Sequence, residues 1–117
     1  MAERVPADKS AGCDTGPVGV ADRQQTALAA LLHEIIGQNP YYTRKLANVS
    51  FGDGPIDLTA LPLTTRAELH ADQQAHPPFG SNQTYPLARY TRFHQTSGTS
   101  GTPLRWLDTP ESWAWFC

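Results

Sequence analysis

Seven consecutive glycine, serine and threonine residues, Thr96–Thr102, form the stretch of this chain best suited to chemistry. They lie between Tyr90–Gln95 and Leu104–Leu107, two short runs of the kind that predicts β-strands. Because glycine has no Cβ, Gly98 and Gly101 allow backbone N–H groups to come close to an anion. Successive N–H groups in such a turn form a concave anion site, and the hydroxyls add rotatable donors. The stretch therefore indicates phosphate binding.

The same composition is also typical of a plain hairpin loop, and residue types alone leave that alternative open. Three known motifs do not match. Counted from Gly98, the P-loop pattern requires glycine and then lysine at the two positions where this chain has Pro103 and Leu104. The dinucleotide-binding fingerprint lacks its first glycine and its following helix. A serine-hydrolase elbow centred on Ser100 has Thr102 in place of its second glycine.

The segment Thr96–Pro103 resembles the Gly/Ser/Thr-rich phosphate loop of the adenylate-forming enzymes, which include acyl-CoA synthetases, luciferases and peptide-synthetase adenylation domains. Within that superfamily the chain is most similar to the phenylacetate–CoA ligase group. Four upstream segments keep the order and approximate spacing of that group: Asn39–Leu46, Leu61–Leu69, Pro78–Gly80 and Arg92–His94. The resemblance covers about residues 24–116. Many relatives carry Lys beside the loop's proline, whereas this chain has Thr102 and Leu104 there.

This resemblance implies an AMP-forming acid–CoA ligase that uses ATP, Mg²⁺ and CoA. In that reaction a small-molecule carboxylic acid attacks the α-phosphate of ATP and pyrophosphate leaves. The thiol of CoA then displaces AMP from the acyl-adenylate. Such chemistry depends on positioning and charge neutralisation, which is why Mg²⁺ is expected. Phenylacetate is the acid that the resemblance suggests. The role of holding the β- and γ-phosphates falls on six residues: Ser97, Gly98, Thr99, Ser100, Gly101 and Thr102.

Four side chains near the loop have open roles. His94 could orient the loop or approach the acyl-adenylate, or it could hydrogen-bond across the hairpin. Arg105 is the cation nearest to the places where relatives carry Lys, and Arg92 could also add positive potential near the phosphates. Arg89 is expected to be an ordinary solvated residue.

Composition excludes several classes of protein. A chain of 117 residues allows one domain with a modest core. Because 9 Lys and Arg residues face 11 Asp and Glu residues, nucleic acid is disfavoured as a main partner. The sequence contains no apolar run of ~18 residues, the length that would predict a membrane span. Cys13 and Cys117 form neither a disulfide framework nor a metal-ligand pair, which predicts a reducing, cytoplasmic location. The four histidines have no paired metal spacing: His33, His70, His76 and His94.

Residues 1–20 are expected to form a disordered leader, since their few aliphatic side chains cannot offset the entropy of ordering. Residues 21–117 are expected to form the N-terminal part of an AMP-binding domain. Apolar residues at helical spacing predict a first helix that Asp22 caps and Gly37 closes.

Three further helices are predicted from their starting residues. Asn39–Pro40 reads as a cap and first-turn proline for a short helix through Leu46, in which Tyr41 and Tyr42 are expected to pack in the core. A Thr65–Glu68 capping box predicts a helix over residues 66–75. Thr109–Pro110 predicts a last helix after the hairpin. The expected fold class is α/β, with N-terminal helices followed by a β-hairpin that carries the phosphate loop.

The chain stops at Cys117, directly after the apolar side chains of Trp113, Trp115 and Phe116. In the family, the adenine site, the ribose-binding Asp and the C-terminal lid Lys would all lie downstream. An N-terminal fragment of a longer ligase is therefore expected, inactive alone and lacking its C-terminal remainder. The alternative is a small non-catalytic interaction module, or a degenerate gene copy. In that case the loop is only a hairpin turn and the aromatic cluster docks a partner protein.

Overall fold

The computed structural model describes residues 17–98 and 101–117. This part of the chain contains four α-helices and one antiparallel hairpin, which agrees with the expected α/β class. The helices are α1 (Pro17–Ile35), α2 (Pro40–Lys45), α3 (Arg66–Ala75) and α4 (Pro110–Phe116), and the strands are β1 (Arg92–Gln95) and β2 (Arg105–Asp108). Single 3₁₀ turns occur at Leu58–Ala60 and Leu87–Arg89. Within the described ranges, no helix is long and apolar enough to cross a membrane.

Helix α1 begins at Pro17, so the predicted start near Asp22 and the capping role of Asp22 are wrong. A proline at the first helical position is preset for the helix, which allows the helix to extend back to that residue. Residues 17–20, predicted to belong to the leader, are therefore helical, and residues 1–16 lie outside the described part. The predicted end is confirmed, because Gly37 follows the helix with φ +91°.

Helix α2 starts as predicted from Asn39, whose side-chain oxygen accepts from the N–H of Tyr42 at 3.1 Å. Its side-chain nitrogen donates to Asn82 Oδ1 at 2.9 Å and to Thr84 Oγ1 at 3.2 Å, which joins α2 to the segment before the hairpin. Tyr41 is buried and packs edge-on against Tyr42, with ring centroids 5.1 Å apart. The expected core position of Tyr41 is thus confirmed.

Helix α3 begins with the predicted capping box. Thr65 Oγ1 accepts from the N–H of Glu68 at 3.2 Å, and a Glu68 carboxylate oxygen accepts from the N–H of Thr65 at 2.7 Å. The ammonium group of Lys45, on α2, lies 2.7 Å from the other Glu68 oxygen. The hydrogen bond from Lys45, followed by those from Thr65, lowers the pKa of Glu68 from 4.5 to about 2.

Buried polar side chains hold the junctions between these elements. Asp72, on α3, is buried and accepts from the N–H of Ser81 at 2.7 Å and from the Ser81 hydroxyl. Thr109 is buried and accepts from the N–H of Ser112 at 3.1 Å, as a cap of α4. The buried apolar side chains of the described residues are few: Leu32, Tyr41, Leu46 and Leu104. Hydrogen bonds at element ends therefore position the hairpin alongside a small apolar core.

Candidate functional site

The hairpin brings the two ends of the Gly/Ser/Thr loop together. Its register pairs His94 with Trp106 and Gln95 with Arg105. Beyond the strands, the N–H of Thr96 donates to the Leu104 carbonyl at 2.9 Å, and the N–H of Leu104 donates to Thr96 Oγ1 at 2.9 Å. The Thr96 hydroxyl, expected among the ligand donors, is therefore an acceptor that closes the base of the loop.

Both glycines of the loop have positive φ, as their proposed role requires. Gly98 has φ +67° and Gly101 has φ +142°. The N–H of Gly101 donates to the Gly98 carbonyl at 3.1 Å. A Cβ added at Gly98 would lie 2.8 Å from the Gly101 oxygen and 2.8 Å from Pro103 Cγ, whereas a Cβ at Gly101 would have no atom of the described residues within 4 Å. The backbone at Gly98 is thus packed tightly against Gly101 and Pro103.

Four of the six predicted phosphate-binding residues are described. Ser97, Gly101 and Thr102 are exposed, and Gly98 is half-buried. The Gly101 N–H is already bonded inside the loop, to the Gly98 carbonyl. The predicted roles of Thr99 and Ser100 fall outside the described residues.

Each of the three arginines considered for the loop contacts another group. Arg105 donates from Nη1 to the Pro78 carbonyl at 3.1 Å. The guanidinium of Arg92 lies 4.5 Å from the ring centroid of Trp113, and that of Arg89 lies 4.1 Å from the centroid of Tyr85. The bond to the Pro78 carbonyl uses only one of the several N–H donors of Arg105, and the ring contact of Arg92 uses none.

His94 makes its contacts within the hairpin and with α4. Its ring stacks on Trp113, with centroids 5.1 Å apart and planes inclined by 20°. His94 Nε2 is shielded from solvent and lies 3.3 Å from Asp108 Oδ2, near enough for an ion pair when the imidazole is protonated. Ser112 Oγ donates to the other oxygen of Asp108 at 3.0 Å. His94 Nε2 makes no hydrogen bond, so His94 is placed by its stacking on Trp113 and its proximity to Asp108 and not by the expected hydrogen bond across the hairpin.

Asp108 is a residue of this site that sequence reasoning missed. It belongs to the lining of an open cleft of about 400 Å³, and the whole lining is His94, Trp106, Asp108, Ser112, Trp113 and Phe116. Asp108 precedes the helix cap Thr109, but only the strand register places it beside His94. Among the described residues, no three His, Cys, Asp or Glu side chains are grouped to hold a metal ion.

Comparison with known proteins identifies the fold through solved structures. The search of family models found no match, and the search of curated proteins found none either. The chain is similar to 2-hydroxyisobutyryl-CoA ligase in the postadenylation state with 2-HIB-AMP, at a TM-score of 0.71 and 22% identity, over 85% of this chain and 21% of that chain.

Two other states of that ligase give similar values. The thioesterification state, in complex with 2-HIB-AMP and CoA, has a TM-score of 0.71 and 24% identity over 85% of this chain and 22% of that chain. An open conformation with the same ligands has a TM-score of 0.61 and 23% identity, over 82% and 20%. The chain therefore has the fold of part of an acyl-CoA ligase and spans about a fifth of that ligase's length.

Proposed function

We propose that this chain is the part of an AMP-forming acyl-CoA ligase that holds the β- and γ-phosphates of ATP, in the loop Ser97–Thr102. The observation that carries the proposal is a coincidence of fold and loop. The fold is that of a ligase segment. The stretch that resembles the superfamily's phosphate loop contains two positive-φ glycines, Gly98 and Gly101, and the N–H of Gly101 donates to the Gly98 carbonyl.

The loop's construction suits an anion whose charge increases during the reaction. Ser97 and Thr102 are exposed residues near the two ends of this stretch, and each has a backbone N–H and a hydroxyl that can donate. The Thr96–Leu104 hydrogen bonds fix the base of the turn before any ligand binds. Donors that are already oriented toward developing charge need no reorganisation during the reaction. In the proposed adenylation step they would stabilise pyrophosphate as it leaves.

The positive charge that pyrophosphate requires would come mainly from Mg²⁺. This ion is commonly bound by substrate phosphates, water and one or two carboxylates, so it would arrive together with ATP. Bound there, Mg²⁺ would neutralise the phosphate oxygens and orient the leaving group. The loop of this chain would contribute N–H and O–H donors around that charge, which is consistent with the absence of Lys at Thr102 and Leu104.

The whole reaction in this proposal is the activation of a carboxylic acid as an acyl-adenylate, followed by transfer to CoA. The acid is proposed to be phenylacetate or a close relative, because the sequence most resembles the phenylacetate–CoA ligase group. Since the chain spans about a fifth of the ligase it resembles, we propose that the acyl, adenine and CoA sites involve further residues. The 117-residue chain alone is then expected to show no ATP–pyrophosphate exchange.

A second candidate function is a non-catalytic interaction module. It is favoured by the end of α4, where Trp115 is 91% exposed and Phe116 is 83% exposed. Large apolar side chains that are exposed together commonly mark a contact surface. In this alternative the Gly/Ser/Thr loop is a hairpin turn and has no ligand.

Titration calorimetry of the 117-residue chain with a series of ligands in excess Mg²⁺ tests the proposal. If the loop contacts the β- and γ-phosphates, pyrophosphate and ATP should bind with affinities within about threefold of each other. AMP lacks both groups and should not bind measurably. Equal binding of AMP and ATP would contradict the assignment of the loop to these two phosphates. No heat of binding with any of the four ligands pyrophosphate, ATP, AMP and phosphate would support the interaction module.

A further inference from the structure

We infer that Gln73, on α3, is a positioning residue for the phosphate loop. Its side-chain amide holds the backbone of Arg105, the first residue of β2, three positions after the loop's last residue, Thr102. The inference deepens the proposed function and rests on it, since the loop is taken to be the phosphate site.

The contact is a matched pair of hydrogen bonds. Gln73 Nε2 donates to the Arg105 carbonyl at 2.9 Å, and the N–H of Arg105 donates to Gln73 Oε1 at 3.1 Å. A side-chain amide offers a donor and an acceptor, as an adjacent strand residue would. Gln73 thus makes the two hydrogen bonds that a third strand would make to Arg105.

The strand register explains why Arg105 has these groups to offer. In an antiparallel ladder, residue pairs alternate between those that bond each other and those whose N–H and C=O face away. Thr96 and Leu104 bond each other at the base of the loop. The next pair, Gln95 and Arg105, therefore directs its backbone groups outward, and α3 lies on the Arg105 side.

Helix α3 is itself held firmly enough to act as a support. The capping box fixes its first turn. Asp72, adjacent to Gln73, is buried and bound to Ser81. The Arg105 guanidinium adds a tie to the Pro78 carbonyl at 3.1 Å, just beyond the end of α3. One end of the loop is thus set by β1 and the other by α3.

The chain contains a second clamp of the same kind, away from the loop in sequence. Gln25 Nε2 donates to the Ile56 carbonyl at 3.0 Å, and the N–H of Ile56 donates to Gln25 Oε1 at 2.8 Å. Gln25→Leu removes a pair of hydrogen bonds equivalent to the pair lost in Gln73→Leu but leaves β2 unchanged. Comparing the two variants therefore separates displacement of the loop from a general loss of stability. Gln74→Leu, at an exposed neighbour of Gln73, controls for the substitution itself.

The test measures pyrophosphate affinity, with Mg²⁺ in excess, in the 117-residue chain. Removing two neutral hydrogen bonds, each contributing about 1 kcal/mol, should weaken binding by up to about thirtyfold in Gln73→Leu. Gln73→Glu keeps the acceptor for the Arg105 N–H but sets a carboxylate oxygen against the Arg105 carbonyl, so its affinity should also fall below that of wild type. Gln25→Leu and Gln74→Leu should stay within about twofold of wild type.

A double substitution distinguishes positioning from simple destabilisation. Gly98→Val already displaces the turn, so adding Gln73→Leu should weaken binding by less than about twofold further. Independent effects on stability would instead add. Equal losses in Gln25→Leu and Gln73→Leu, or full additivity with Gly98→Val, would overturn the positioning role.

Hydrogen exchange at the Thr96 and Gly101 amides keeps the two claims separable. If wild type does not bind pyrophosphate, the phosphate function is wrong and the positioning role is decided by exchange alone. Exchange at least about tenfold faster in Gln73→Leu, with no change in Gln25→Leu, would support positioning of the loop. Unchanged exchange in both variants would overturn it.

Discussion

Replacing Gly98 with alanine should weaken pyrophosphate binding more than the same change at Gly101, Gly54 or Gly37. At φ +67°, a residue with a Cβ has about 1–3 kcal/mol of backbone strain. The new Cβ would also lie 2.8 Å from the Gly101 oxygen and from Pro103 Cγ, so the turn must open to admit it. Because ligand binding would have to close the turn again, the strain should appear as lost affinity.

The expected size follows from that strain. A cost of about 1–3 kcal/mol corresponds to a loss of affinity of about 5- to 150-fold, with the contacts at Gly98 placing it in the upper part of the range. Gly101→Ala adds strain at φ +142° but meets no atom of the described residues within 4 Å, so its effect should lie near the lower end. Calorimetric titration with pyrophosphate and Mg²⁺ gives the affinities, and thermal unfolding gives the stability of each variant.

Two other glycines provide matched controls. Gly54 has an ordinary φ and open space around it, so Gly54→Ala should leave affinity within about twofold of wild type. Gly37 also has positive φ, +91°, but it lies at the end of α1. Gly37→Ala should lower the free energy of unfolding. The folded chain should keep wild-type affinity, so the measured affinity should fall only by the fraction of chain that is unfolded. Wild-type affinity in Gly98→Ala with an intact hairpin, or equal losses in Gly37→Ala, would refute the reasoning.

Three further predictions concern stability and association. Glu68 has a pKa lowered to about 2, so the stability that its carboxylate provides is present above pH 4.5 and is lost as the pH falls toward 2. In Glu68→Gln the midpoint temperature of thermal unfolding should therefore depend less on pH between 4.5 and 2. An unchanged pH profile in Glu68→Gln would contradict this. In urea unfolding, Asn39→Ala should lower the free energy of unfolding by about 1–2 kcal/mol for the lost helix cap, and by more for the two lost side-chain hydrogen bonds. Asn48 is exposed, and Asn48→Ala should lower it by less than about 0.5 kcal/mol. Wild type should self-associate in sedimentation, and Trp115→Ser with Phe116→Ser should move it toward monomer. A wild-type chain that stays monomeric at all concentrations would count against an apolar contact surface.

The helix starts that sequence predicted correctly depend on residues close together in the chain. Asn39, Thr65 and Thr109 each accept a hydrogen bond from a backbone N–H three residues on. Residue type and spacing therefore contain the whole interaction. The positive φ of Gly98 and Gly101 was not predictable in the same way, because glycine only permits it and Gly52 and Gly54 do not have it.

Contacts between distant residues could not be predicted in this way. Gln73 and Arg105 are separated by 32 positions, and nothing in either residue type selects the other. Asp108 meets His94 only through the hairpin register. Arg105, the cation expected near the phosphates, donates to the Pro78 carbonyl for an equally non-local reason. Sequence thus predicted the candidate loop, and the structure was needed for the residues that support it.

Amide chemical-shift mapping with pyrophosphate and Mg²⁺ tests the central claim most directly. In the ¹⁵N-labelled 117-residue chain, the largest saturable shifts should fall on Ser97, Gly98 and Thr102, with little change at Gly54. The same titration of Gly98→Val should give smaller shifts at these amides, which saturate only at higher pyrophosphate concentrations. Shifts centred instead on the cleft beside His94 and Trp113, or no saturable shift at any amide, would contradict a phosphate-binding loop.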